Sequence, residues 1–275
     1  MKESNPLVTV CIPTYNSSAF IKQTVETILK QTYKNIIVKV IDNCSTDDTR
    51  DIVESIDDER VVLIKNETNV GMTGNFNKCL DYAEGKYLQI ICSDDKIANN
   101  CIEEKVKAFE NNADCSLVFS ATEVRDENEK ILMKRNPFHN DKKINGLRMF
   151  KKAFRNHNLY GEPSNVMMKV DCIKEAGYFD PKMYYAVDWE YWSRFSLTGN
   201  VYYINKPLAY FYIRNTSETG MLLNKKEEIV NDDKLFVDIC KSNSKMKVDF
   251  WDVLSHNFNG KIRLFMKIVF AKIKR

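Results

Sequence analysis

The first 120 residues alternate short β-rich runs with amphipathic helical stretches, and each apolar run stops abruptly in polar residues. Leu7–Ile12, Ile36–Ile41, Val61–Ile64, Tyr87–Cys92 and Cys115–Ser120 read as buried strands. Between them, Ile21, Val25, Ile28 and Leu29 share one helical face, as do Phe76, Leu80 and Ala83, and then Ile102, Val106 and Phe109. Ser45-x-x-Asp48 reads as the cap of the intervening helix. Strands and helices in strict alternation imply an α/β fold, a mostly parallel Rossmann-like sheet flanked by helices on both faces. Such sheets bind ligands beyond the carboxyl ends of their strands. The polar residues found there are Pro13-Thr14-Tyr15-Asn16, Asp42-Asn43, Asn66 and Ser93-Asp94-Asp95.

Beyond residue 125 the pattern is mixed. Asp126–Lys143 reads as an exposed connection, Arg148–Asn156 as a helix and Asn165–Lys169 as a strand. Asp188–Leu197 reads as a helix whose Trp189, Trp192 and Phe195 turn inward. Val201–Tyr203 and Leu208–Ile213 read as two short strands, and Lys225–Cys240 as helical. No run of 18 apolar residues suggests a membrane span, and the polar start carries no secretory signal. The eight cysteines include no C-x-x-C pair, which fits a reduced cytosol better than a disulfide framework or a zinc site.

Net charge is +3, but residues 257–275 hold six basic side chains and no acid, leaving 35 basic against 38 acidic residues elsewhere. A body that is not basic is a poor nucleic-acid binder. In the tail, Ile262, Phe265, Met266, Val269 and Ile273 fall on one helical face flanked by lysines and arginines. That pattern predicts peripheral contact with an anionic membrane, or a helix docked on the protein or on another subunit.

Two clusters carry chemistry. Asp94-Asp95 places two carboxylates on one short loop, where water, a proton or a cation must relieve their repulsion. Oxygen ligands of this kind suit Mg²⁺ or Mn²⁺ shared with substrate phosphates; the plain alternative is a solvated turn. Asp188 opens a helix, whose dipole favours an anion there. Asp42 can accept hydrogen bonds from a base or a ribose, Tyr15 can stack on a base, and Asn69-Val70-Gly71 precedes a helix whose N–H groups could face a phosphate. Neither a G-x-G-x-x-G nor a P-loop pattern follows the first strand. His139, His157 and His256 show no ligand spacing.

In combination these residues resemble a known family. V-C-I-P-T-Y-N at 10–16, Asp42, Asn69-x-Gly71, Gly85-x-Tyr87 and Ser93-Asp94-Asp95 are similar to motifs of the inverting family 2 glycosyltransferases of GT-A fold. Gly161-x-Pro163-Ser164, Gly177-x-Phe179-Asp180, the Asp188 helix, Pro207-Leu208 and Tyr212-x-Arg214 continue the resemblance in order to about residue 220. It implies a catalytic domain at 1–220, with a nucleotide-sugar half at about 1–96 and an acceptor half at about 97–220, followed by a helical extension at 221–275. By resemblance, Pro13, Thr14, Tyr15, Asn16, Asp42, Asn69, Gly71 and Asp94 would bind the donor. Asp95 would hold Mn²⁺ or Mg²⁺, and Asp188 would be the general base. Gly161, Glu162, Pro163 and Ser164, with Trp189 and Glu190, would line the acceptor.

The implied reaction moves a sugar from a nucleotide donor, UDP-linked by family preference, to a hydroxyl of a glycan or lipid-linked acceptor in surface-polysaccharide synthesis. The expected location is the cytoplasm, at the inner face of the membrane. A noncatalytic nucleotide-sugar-binding or scaffold subunit is the alternative. The chain departs from the family pattern at Val187 before the base, at Asn75-Phe76-Asn77 after the Asn-x-Gly motif, and at Thr216, where a histidine is common.

Overall fold

A computed structural model describes residues 5–212 and 226–260. The basic tail and Arg214 lie outside the described residues. The expected alternation is present: β1 (Val8–Thr14), α1 (Ile21–Leu29), β2 (Ile36–Asp42), α2 (Thr49–Glu54), β3 (Val61–Lys65), α3 (Gly71–Asp81) and β4 (Tyr87–Ile90). After them come β5 (Lys96–Ile97), α4 (Cys101–Glu110) and β6 (Cys115–Arg125). The strands β3, β2, β1 and β4 lie side by side in parallel, with Thr14 opposite Asp42, so the candidate donor residues share one sheet edge.

Next to β4 the sheet changes direction. The strand β9 (Val166–Lys169) runs antiparallel between β4 and β6. It carries the loop before it, 158–165, to the mouth of the crevice. The region 126–143, expected to be an exposed connection, instead adds two strands: β7 (Ile131–Arg135) pairs with β6, and β8 (Lys142–Ile144) with β10. Their solvent-facing charges hide the strand signal, because an edge strand packs on one side at most. The two strands expected near residues 201 and 208 form a single β10 (Asn200–Tyr212) with register shifts on either side of Pro207. Proline offers no N–H to the ladder, so the strand bulges there rather than ends.

Side chains alternate across the sheet and build two cores. Val8, Val10 and Ile12 of β1 pack with Ile21, Val25 and Ile28 of α1 and Ile102, Val106 and Phe109 of α4. Cys11, Leu88 and Ile90 face the other way, toward Phe76 and Leu80 of α3. That second core takes in α5 (Gly146–Arg155), α6 (Ile173–Ala176), α7 (Val187–Phe195) and α8 (Lys226–Ser242), with Trp189, Trp192 and Phe195 buried as their spacing predicts. Phe236, Val237 and Cys240 of α8 belong to it too, so the described part of the C-terminal extension packs on the same core as the Asp188 helix. Among the described residues, no helix is long and apolar enough to cross a membrane.

Candidate active site

The candidate donor side is made by the loops that leave β1, β2, β3 and β4. Asn16 takes a left-handed conformation (φ 49°), which asparagine tolerates better than most residues. Its N–H bonds Ser45 Oγ at 2.9 Å, and its side-chain oxygen accepts the Thr46 N–H at 2.8 Å. Ser45 is therefore not the cap of α2, as the sequence suggested. Asp47 fills that place, accepting from Thr49 N at 3.1 Å and Ser18 N at 3.0 Å. Tyr15 is half exposed at 50%, leaving a ring face open for stacking. Pro13 is half-buried, and the buried Thr14 Oγ1 has no hydrogen-bond partner among the described residues.

Asp42 differs from expectation. It is completely buried, its carboxylate held by Arg50 Nε at 2.6 Å and Ser45 N at 3.1 Å. It presents no exposed oxygen to a nucleoside, and Arg50 is its charge partner. Asn69 and Gly71 are organised by a residue that carried no role in the sequence reading. Asn43 Nδ2 donates to Asn69 Oδ1 at 3.0 Å, while Asn43 Oδ1 accepts from Val70 N at 2.9 Å and Asn66 Nδ2 at 3.1 Å. Gly71, at φ 75°, opens α3 and receives Asn69 Oδ1 on its N–H. The signal was the density of asparagines at strand ends, since an amide side chain can donate and accept at once in such a chain of contacts.

The loop after β4 carries the paired carboxylates. Thr24 Oγ1 lies 2.8 Å from the Ser93 carbonyl and 3.2 Å from that of Asp95, and Ser17 Oγ lies 2.8 Å from Ser93 Oγ. Asp94 is partly exposed, whereas Asp95 is buried, with Ser164 Oγ donating to its Oδ2 at 2.6 Å. Ser164 in turn accepts the Cys92 N–H at 2.9 Å. Its own turn, Pro163–Asn165, is fixed by Gln89 Nε2 on the Ser164 carbonyl (2.8 Å) and by buried Lys105 Nζ on the Asn165 carbonyl (2.9 Å). Burial lowers the Lys105 pKa from its usual value.

The same loop reaches the third carboxylate. Asp188, second residue of α7, is partly exposed; its Oδ2 accepts from Asn158 Nδ2 at 3.1 Å and its Oδ1 from the Trp189 N–H at 2.7 Å. Asn158 also receives the N–H groups of Tyr160 and Gly161 on its own oxygen. One loop, 158–164, thus hydrogen-bonds Asp188 at one end and Asp95 at the other. Electrostatics agree: burial first, then the fields of Asp95, Asp94 and Asp188, push the Cys92 thiol well above its usual range. Tyr185 is pushed up to about 12 by burial and by the nearby Asp188 and Glu162.

Other placements correct the sequence. Trp189 is 6% exposed, packs at a tilt against Phe236 (4.7 Å) and stacks on His256 (5.8 Å). Glu190 is fully buried, in a two-point ion pair with Arg194. Both are turned into the core by the helix rather than toward solvent. Pro163 and Ser164 are also buried and act from behind, which leaves Gly161 (φ 86°) and Glu162 at the surface of that loop. Glu162 pairs with Arg135 of β7. Asp232 of α8 was not foreseen at all: its carboxylate accepts the N–H groups of Tyr184, Tyr185 and Ala186 at 2.9, 2.8 and 2.6 Å, clamping the entry to α7. It lies 44 residues beyond Asp188, too far for any local motif.

Comparison with known proteins decides the family. The sequence model of glycosyl transferase family 2 matches residues 9–175. The chain belongs to that family. An uncharacterised glycosyltransferase of Methanocaldococcus jannaschii is 34% identical over 193 residues, 69% of this chain and 64% of that protein. An Escherichia coli protein, WfaP, named as a UDP-Glc:alpha-D-GlcNAc-diphosphoundecaprenol beta-1,3-glucosyltransferase, is 40% identical over 104 residues, 38% of this chain and 41% of its own. The chain thus spans less than two thirds of both relatives. Among solved structures, S. aureus TarS superposes with a TM-score of 0.68 at 19% identity, covering 86% of this chain and 66% of that one; the fold is shared.

Among the described residues, no three His, Cys, Asp or Glu side chains gather around one point. Asp94 and Asp95 alone do not make a closed metal cage. They do fit a hard divalent cation that draws its other ligands from water and phosphate, which is how Mg²⁺ is usually held.

Proposed function

We propose that this family 2 chain is a metal-dependent inverting glycosyltransferase. It would move a sugar from a nucleotide donor to a hydroxyl of a glycan or lipid-linked acceptor. The observation that carries the reading is the loop 158–164, which bonds Asp95 through Ser164 and Asp188 through Asn158. A donor diphosphate at Asp94-Asp95 and a hydroxyl at Asp188 would then lie on two sides of one crevice.

In this reading Asp95 holds Mn²⁺ or Mg²⁺, and Asp94 meets the donor's ribose or sugar. The bound cation would offset the charge left on the departing nucleoside diphosphate. Asp188, on the opposite side, takes the proton from the attacking hydroxyl as the anomeric carbon passes through an oxocarbenium-like state. One displacement inverts that carbon, and no side chain need bond to it. Asn158 holds Asp188 Oδ2 in place, and the start of α7 favours its ionised form. On the donor side, Tyr15 stacks on the base and Thr14 Oγ1 supplies a polar contact. Asn69 and Gly71 shape the turn that opens α3.

A uridine donor is favoured because WfaP carries UDP-Glc in its name and TarS has been solved with UDP and with UDP-GlcNAc. A mannosyltransferase of Pyrobaculum calidifontis, solved with GDP-Man and Mn²⁺, shares the fold as well, so guanosine belongs in the test. The undecaprenol acceptor in WfaP's name supports a lipid-linked acceptor and work at the cytoplasmic face of a membrane. The basic residues of the tail would add attraction to anionic lipid. The halves at 1–96 and 97–220, followed by the extension, remain the proposed division of labour.

The test is thermal stability with UDP, dTDP, GDP and CMP, each with and without Mn²⁺. A ligand at 100 times its Kd stabilises by about 2.7 kcal/mol. We expect a shift with UDP that requires Mn²⁺ and is lost in Asp95→Asn, which keeps an oxygen for Ser164. A UDP shift indifferent to both Mn²⁺ and Asp95 would remove the metal from the proposal.

A further inference from the structure

A surface helix in a water-soluble fold normally turns its apolar stripe inward and its charges outward. The helix at 250–260 does the reverse. Asp252 and His256, one turn apart, are fully buried. The Asp252 carboxylate takes Arg155 Nε at 2.5 Å, Lys151 Nζ at 2.9 Å and the Asp249 N–H at 3.0 Å. Asp249 returns the bond by accepting the Asp252 N–H at 2.8 Å, closing a reciprocal cap. His256 Nδ1 lies 2.7 Å from the Phe154 carbonyl, its Nε2 lies 3.2 Å from Asp233, and Asn259 Nδ2 donates to the Arg155 carbonyl at 2.7 Å. These polar contacts fix which face points inward. What they leave outside is Phe250 (71% exposed), Trp251 (68%), Leu254 (49%) and Phe258 (67%). At helical spacing these four fall within an arc of about 100°.

We propose that this aromatic face is a docking surface for an anionic lipid bilayer. Phenylalanine, tryptophan and leucine on one side of a helix suit the boundary between headgroups and acyl chains. The charge of the sequence that follows fits as well. After Asp252, which is buried and paired, the sequence to Arg275 contains no acid and six lysines and arginines. Apolar insertion and basic attraction together are the two signals that stable peripheral binding requires. A second copy of the chain is the weaker occupant, because the sequence that follows this helix is basic in both copies.

The inference differs from the tail reading in resting on the described helix, and it does not depend on the transferase reading. If that reading also holds, docking places the Asp188 helix beside the lipid, since His256 stacks on Trp189.

The test uses the full chain with phosphatidylcholine vesicles, with and without phosphatidylglycerol. Trp189 and Trp192 are buried, so a blue shift in emission on binding would come from Trp251. The shift should be absent in Trp251→Phe, and brominated phosphatidylcholine mixed into the anionic vesicles should quench wild-type emission. The triple variant Phe250→Ser/Trp251→Ser/Phe258→Ser alters only exposed side chains and should partition at least about 100-fold more weakly. Binding by the triple variant equal to wild type, or wild-type binding to anionic vesicles without bromolipid quenching, overturns the proposal and leaves lipid contact to tail charge alone. Shielding of Trp251 without vesicles, together with a doubled mass, would assign the face to a second copy. None of these readouts involves a donor or turnover, so failure here and failure of the transferase reading are separable.

Discussion

The two rims of the proposed site, donor and acceptor, hold their carboxylates by different means. On the proposed donor rim, Asp42 ends β2 opposite Thr14 of β1, and Asp94 and Asp95 stand on the loop that follows β4. Thr24 pins the Ser93 and Asp95 carbonyls, and Ser45 and Thr46 pin Asn16. On the acceptor rim, Asp188 stands on a helix whose entry is held from outside. Asp232 clamps three N–H groups from α8, and Asn158 reaches the carboxylate from the loop before β9. A sheet edge positions side chains through its own ladder, but the loop leading into a helix has N–H groups outside any ladder and needs a borrowed acceptor. The acceptor rim should therefore yield to distant substitutions that leave the donor rim intact.

The largest separation is expected from Asp188→Asn. General-base catalysis is worth about 10²–10⁴ in rate, so kcat should fall by that factor while the nucleotide-dependent thermal shift stays at its wild-type size. Loss of the thermal shift as well would mean that the rims are not independent.

Asp232→Ala sharpens the comparison from a distance. It leaves the N–H groups of Tyr184, Tyr185 and Ala186 without their acceptor, and each unsatisfied buried group costs about 1–3 kcal/mol where water cannot replace it. The melting midpoint should drop, and turnover should drop further than stability alone explains, because the frame of Asp188 loosens. Asp232→Asn keeps one oxygen and should recover part of the turnover. Equal turnover in Asp232→Ala and wild type at a temperature where both are folded would show that the clamp supports only the fold.

The same contrast explains what could be read from the chain. The strands β1 to β4 were legible because apolar runs alternate with helical periods, and the candidate donor residues were legible because they end a strand or stand in the loop that follows it. Asp42 was placed correctly on the sheet edge, but its burial under Arg50 was not visible, since Arg50 approaches from the following helix. Ser45 looked like a cap because its spacing to Asp48 imitates one, yet Asn16, 29 residues earlier, claims its hydroxyl. On the acceptor rim almost nothing beyond Asp188 was local. Asn158, Ser164 and Asp232 meet their partners across 30, 69 and 46 residues or more, and no periodicity encodes such returns. Trp189 and Glu190 sit beside Asp188 in sequence, but the helical turn sends them into the core, so adjacency misled.

The smallest expected effect is a pH dependence on the donor rim. Asp47 accepts the Ser18 N–H, the Thr49 N–H and the Thr49 hydroxyl, tying the loop after β1 to the start of α2. Burial pushes its pKa up, but the bonds from Thr49 and Ser18 outweigh burial and hold it at about 2, against 3.8 for an ordinary aspartate. A carboxylate depressed on folding contributes stability above its unfolded pKa and loses it as pH falls through the folded value. Asp47→Ala should therefore be less stable than wild type by about 1 kcal/mol near neutral pH, where the charged acceptor is present. That gap should close between pH 4 and about 2. Denaturant midpoints of the two proteins across that window decide the matter. A gap that stays constant down to the acid limit would show that these bonds do not distinguish the ionised from the protonated side chain, and the loop after β1 would then be tied to α2 without help from the charge of Asp47.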